Sequence, residues 1–158
     1  GMIISSYENA LAAQAALTAF IPMLMDTGGN SGSQSSVTII RSLSLGDVKF
    51  ADFFRVVWKE LRVAFFCGGT LACVNFVKIL LVDKMLLHSA VTIPVVLVVC
   101  MTLVVTVLFA KLIGCTLPLV AQKLGFDPAV MASPILTTIV DAVTLSVYFR
   151  FAIILLHV

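Results

Sequence analysis

Asp141 is a carboxylate in the middle of a long apolar run, from about Ala129 to Val158. Ser133, Thr137, Asp141 and Thr144 follow at spacings of four, four and three, and Tyr148 continues the series. On a helix these spacings make one polar stripe on an otherwise apolar surface. The stripe offers carboxylate, hydroxyl and carbonyl oxygens and no soft ligand. That donor set suits a hard cation, and Mg²⁺ takes one or two carboxylates while keeping several of its waters. A carboxylate at the centre of a spanning helix costs roughly 2.5–3.5 kcal/mol on insertion scales. Facing water or a cation offsets that cost, and so does a buried hydrogen bond. The first fits better, because the nearest basic residue along the run, Arg150, is nine positions on.

A second polar group interrupts an apolar run at Pro22 to Ser36. It contains Asp26, Gly28, Gly29, Asn30, Gly32 and Gln34. Asn30, Gln34 and Thr38 lie four apart and share a helix face, while Gly28 and Gly32 form a small-xxx-small pair on another. Close helix packing is the first explanation for the glycines. For Asn30 and Gln34, a pore-facing role and interhelical hydrogen bonding both fit. Asp26 fits either the outer half of an ion pathway or a local cap. The stretch lacks a lysine and a preceding strand, so it is not a phosphate-binding loop.

These residues need elements to hold them, and composition sets the class of those elements. Hydrophobic residues make up 61% of the 158, charged residues only 11%, and the mean hydropathy is +1.16. Soluble domains carry about a quarter charged residues, so the chain is an integral membrane protein. At about 20 residues per span, a bundle of four to five helices fills it as one domain, residues 1–158. The apolar runs begin near Ala10, Val63, Ala90 and Ala129. The third stays apolar past Gly114 and contains Pro118, so the helix either continues with a kink or hands over to a short element. Period-2 alternation and internal repeats are both absent, which argues against a β-barrel or a repeat array.

Arg41, Lys49, Arg55, Lys59 and Arg62 fall in the first connection, Lys84 in the second, and Lys111 and Lys123 in the third. The positive-inside rule puts the first and third connections in the cytoplasm and both chain ends outside. The basic cluster reads as a topology signal with lipid-headgroup contact, not as a nucleic-acid surface. Asp47 to Glu60 reads as a short amphipathic helix on the cytoplasmic interface, with Phe50, Phe53, Phe54, Val57 and Trp58 on one side. Lys78 and Lys111 read as snorkelling residues near helix ends. Asp127-Pro128 reads as an N-cap and first residue of the last helix. Pro134 then lies inside that helix and frees the carbonyl of Val130.

Other chemistry finds little support. Cys67, Cys73, Cys100 and Cys115 show no metal-ligand spacing and read as small apolar fillers. His88 and His157 sit near span ends without zinc-ligand spacing. No Ser/His/Asp grouping or carboxylate pair on one helix argues for an enzyme.

Ile21 to Ser36, followed by Ile40-Arg41-Ser-Leu-Ser-Leu-Gly-Asp47, resembles the signature of the MgtE family of magnesium channels. Gly125 to Asp141, with Tyr148-Phe149 after it, resembles the last pore helix of that family. The two motifs stand in family order and cover nearly the whole chain. The resemblance implies a homodimer in the cell membrane, with a pore along the two-fold axis. Mg²⁺ is then the transported ion and Asp141 the ion-selecting residue. It further implies a backbone carbonyl ligand at Thr137 and a ligand position at Ser133, where serine replaces the more usual asparagine. Asp26, Asn30, Gln34, Thr138 and Thr144 are the further pore-lining candidates. Against the family pattern, the first of five helices is missing or reduced to Gly1 to Ser6, and the cytoplasmic N and paired CBS domains are absent.

The expectation is therefore the pore domain of a divalent cation channel, with lipid and a second copy of the chain as partners. One rival is a proton- or sodium-coupled transporter using Asp141 as its coupling site. Another is a non-conducting assembly subunit.

Overall fold

Each of the two connections at the basic end of the molecule begins with a glycine that stops a helix. Gly46 and Gly125 have φ of 77° and 86°, in the left-handed region that only glycine adopts without penalty. At the first stop, the Gly46 N–H donates to Leu43 O at 3.2 Å and the Asp47 N–H to Ser42 O at 3.0 Å. At the second, Gly125 donates to Gln122 O at 3.1 Å and Phe126 to Ala121 O at 2.9 Å. Both are Schellman motifs, which satisfy the last free carbonyls of a helix.

The structure, a computed structural model, describes residues 14–81, 93–131 and 134–156. The described elements are helices and 3₁₀ turns, with no strand among them. A helical stretch over 14–19 leads into α1, Ile21–Ser44. A 3₁₀ turn, Phe50–Asp52, opens α2, Phe53–Lys78. Then come α3, Ile93–Lys123, a second 3₁₀ turn, Pro128–Met131, and α4, Pro134–Leu156. The architecture is the expected all-α membrane bundle. Among the described residues, three helical stretches are long and apolar enough to span: Phe50–Leu81, Ile93–Lys123 and Pro134–Leu156. α1 is about 36 Å long at 1.5 Å per residue, yet its polar stretch keeps it out of that set.

α3 packs against each of the other three helices. Its apolar residues run all round it, as suits a helix at the centre of a bundle. α1 runs parallel to α3 and antiparallel to α4. Gly28 lies beside Thr106 and Thr144, and Gly32 beside Ala110 and Leu136. One apolar cluster, including Leu24, Ile79, Leu103 and Tyr148, fills the end away from the basic connections. A second, including Ile39, Leu43, Val56 and Leu119, fills the basic end. A small central cluster of Ala110, Leu136 and Val140 joins them.

Two boundaries differ from those read in the sequence, and one that the sequence left open is decided. The amphipathic segment Asp47 to Glu60 is not a separate helix, because α2 continues unbroken from Phe53 to Lys78. No residue between Lys59 and Val63 breaks a helix, and Glu60 is drawn into the bundle by a hydrogen bond from Ser35. α3 continues past Pro118 to Lys123 as one helix. Pro128 opens a 3₁₀ turn and not the last helix, whose described part runs from Pro134. Asp127 does cap, accepting the Ala129 N–H at 3.0 Å, but it caps the 3₁₀ turn. Val130, whose carbonyl the sequence reading left free, lies in that turn. The tail Gly1 to Ser6, the start of the first apolar run near Ala10, the connection with Lys84 and His88, and His157 lie outside the described residues.

Candidate functional site

The polar stripe of the last helix divides at Asp141. Steps of four along a helix keep side chains nearly in line, whereas a step of three turns the row the other way. Leu136, Val140, Thr144, Tyr148 and Ala152 form the buried row of α4. Thr144 and Tyr148 therefore belong to the packed seam. Thr144 Oγ1 donates to Val140 O at 2.7 Å and would lie 3.1 Å from a Cβ on Gly28. Tyr148 Oη donates to Leu17 O at 2.6 Å, taking a carbonyl at the break before α1.

Thr137 and Asp141 lie one position round the helix and are half-buried. Thr138 is exposed and donates to Pro134 O at 2.8 Å. α1 passes beside this row, because a Cβ on Gly29 would stand 3.8 Å from Thr137 Cγ2. Among the described residues Asp141 has neither a hydrogen bond nor an ion pair; the one ion pair joins Arg55 to Asp52 at 3.3 Å, at the start of α2. Ser133 lies outside the described residues. Among the described residues no three His, Cys, Asp or Glu side chains cluster to hold a metal. The row of Thr137 and Asp141 in one chain thus presents a single carboxylate, without a protein partner among the described residues.

The polar residues of α1 fall on more than one face. Gly28 and Gly32 are buried against α3 and α4, as the packing explanation expected. Asp26 is exposed and accepts from Asn30 Nδ2 at 3.3 Å. Asn30 and Gln34 are exposed and line a groove of about 550 Å³ shared with α2 and α3. Lys111 of α3 also lines it. Lys111 is only 7% exposed, so it does not snorkel. Because α3 continues through Pro118, Lys111 stands twelve residues, about 18 Å, from the end of its helix at Lys123.

Ser35 and Glu60 were not among the candidates read from the sequence. Both are buried, and the Ser35 hydroxyl donates to the Glu60 carboxylate across the α1–α2 seam. Their signal was present: Glu60 is an acid on an amphipathic segment that, continued as helix, turns inward every four residues at Val56, Glu60, Ala64 and Gly68.

Fold and site together define a polytopic, all-α membrane protein with an unpartnered carboxylate, Asp141, part-open on its last described helix. The family model described as MgtE, divalent cation transporter, matches residues 21–151. Three curated relatives carry the name magnesium transporter MgtE. That of Thermus thermophilus is 38% identical over 162 residues, covering 99% of this chain and 34% of its own length. That of Bacillus subtilis is 32% identical, with 99% and 33% covered. That of Enterococcus faecalis is 31% identical, with 95% and 32% covered. The chain spans about a third of the length of these relatives. It belongs to the MgtE family of divalent cation transporters.

Proposed function

We propose that this chain is a pore-forming domain that conducts hydrated Mg²⁺ across a membrane as a homodimer. The observation that carries the reading is Asp141, an acid in a spanning helix, half-exposed and without a protein partner among the described residues. An ionised carboxylate in that position needs water or a cation beside it. A second copy across a two-fold axis supplies a second Asp141. Two carboxylates hold a Mg²⁺ ion that keeps most of its waters, which is how this ion is usually held. Thr137, in the same row, adds a carbonyl or hydroxyl oxygen one turn away, and Ser133 stands four positions before it in the sequence. The shared family with proteins named as magnesium transporters supports Mg²⁺ as the cargo.

Transport of this kind runs down the electrochemical gradient. A potential of 100 mV contributes about 4.6 kcal/mol to the entry of a divalent ion, twice the single-charge value. The test is Mg²⁺ uptake into liposomes carrying the purified chain, with a potential imposed and no proton or sodium gradient. Uptake that follows the potential alone is the expected result. Uptake that appears only with a proton or sodium gradient makes Asp141 a coupling site and the protein a secondary transporter.

A further inference from the structure

The groove between α1, α2 and α3 has a chemistry opposite to that of the Asp141 face. Its polar wall is formed by Ser31, Gln34 and Lys111, and its apolar wall by Phe66, Cys67 and Leu71. None of its lining residues is acidic. Lys111 is more than nine-tenths buried and has no ion-pair partner among the described residues. Glu60, buried between the same helices, accepts the Ser35 hydroxyl and makes no ion pair with Lys111. Asp26 lies one turn of α1 from the groove-lining Asn30 and bonds to it. At about 550 Å³ the space is of ligand size.

Two physical costs meet here. The Lys111 ammonium opens into the groove, and without a counter-ion it is unfavourable within a membrane-spanning bundle. An exposed carboxamide such as Gln34 is also unfavourable if it faces hydrocarbon. Both costs fall when an oxyanion accepts from the Lys111 ammonium and the Gln34 amide. The apolar wall, with Phe66 74% exposed, has no use for a small hydrated anion and fits an alkyl chain instead. We propose that this groove binds an anionic amphiphile, its carboxylate or phosphate head on Lys111 and its chain along Phe66 and Leu71. The site is separate from the proposed ion path and does not depend on that reading.

The test uses the full chain in phosphatidylcholine nanodiscs, with a diazirine-bearing fatty acid as probe and peptide mass spectrometry as readout. The expected result is label concentrated at Phe66 to Leu71, well above that at Val74 and Val77, which are exposed on the same helix. Lys111→Gln lowers the groove label about tenfold, the equivalent of about 1.4 kcal/mol, and leaves the Val74 and Val77 label unchanged. Lys111→Arg retains it. Decanoate displaces the probe, whereas decyltrimethylammonium and acetate do not. Displacement by phosphatidylglycerol identifies a phospholipid head as the native source, and displacement by fatty acid alone identifies a free carboxylate; either supports the oxyanion site. Groove label no stronger than at Val74 and Val77, or unchanged by Lys111→Gln, overturns the proposal. If Lys111→Gln does not fold, equal displacement of the wild-type label by decanoate and decyltrimethylammonium overturns it.

Discussion

Asp141 and Thr144 are three residues apart, and that step separates a side chain on an open face from one packed against a glycine. Thr144 hydrogen-bonds within its own helix and sits against Gly28. Thr144→Val keeps the shape and loses only that local bond, so ion flux through the reconstituted protein stays near wild type. Ser35 makes the opposite case. Its hydroxyl is the donor to a buried carboxylate on another helix. Ser35→Ala leaves Glu60 without that donor, and the expected loss is about 1–3 kcal/mol, read as a lower unfolding temperature in detergent. The Asp141 position was legible in the sequence because a carboxylate in an apolar run stands out. Lys111 was visible too but misplaced: without the register of α3, a lysine before Gly114 looks like a helix-end residue. Its burial follows from α3 lying at the centre of the bundle, a tertiary fact that no local pattern carries.

At the scale of the helices, the α1–α3 crossing is the tightest glycine-mediated contact among the described residues. A Cβ at Gly114 would collide with the carbonyl oxygen of Gly32 and stand 3.0 Å from Ser35 Cβ. The Gly32 carbonyl cannot move without shifting a helix, and small residues are what allow such an approach. Gly114→Ala therefore destabilises the bundle by about 1–3 kcal/mol, the usual range for overpacking. Gly69→Ala is the control, because nothing lies within 4 Å of its Cβ position and alanine is the better helix former. Thermal unfolding of the two variants side by side checks the claim; equal effects would remove the crossing as the cause. The helices themselves were plain from the apolar runs. The start of the last one was not, because Asp127-Pro128 suits the opening of a 3₁₀ turn as well as that of a helix, and the sequence alone does not rank the two.

For the whole molecule, the chain leaves its proposed ion-binding row open, and in the proposed dimer a second copy completes it. Thr138 is exposed on that side of α4 and Thr144 is not. In a background with Cys67 and Cys73 replaced by alanine, Thr138→Cys forms a disulfide-linked dimer under mild oxidation and Thr144→Cys does not. Monomer from both, with full conduction, would end the dimeric account. The assembly is the part least written in a single sequence, since a two-fold contact leaves no periodic pattern beyond the apolar surface that lipid also demands.

If Asp141 holds the conducted ion, its charge matters more than its shape. Asp141→Asn keeps the shape and removes one charge per chain, hence two from the dimer. The measurement is the initial rate of Mg²⁺ entry into liposomes for wild type, Asp141→Asn and Asp141→Glu, with unfolding temperatures matched. A fall of at least about tenfold in Asp141→Asn, equivalent to about 1.4 kcal/mol, with an intermediate rate for Asp141→Glu, is the predicted result. Wild-type rate and selectivity in Asp141→Asn would contradict it.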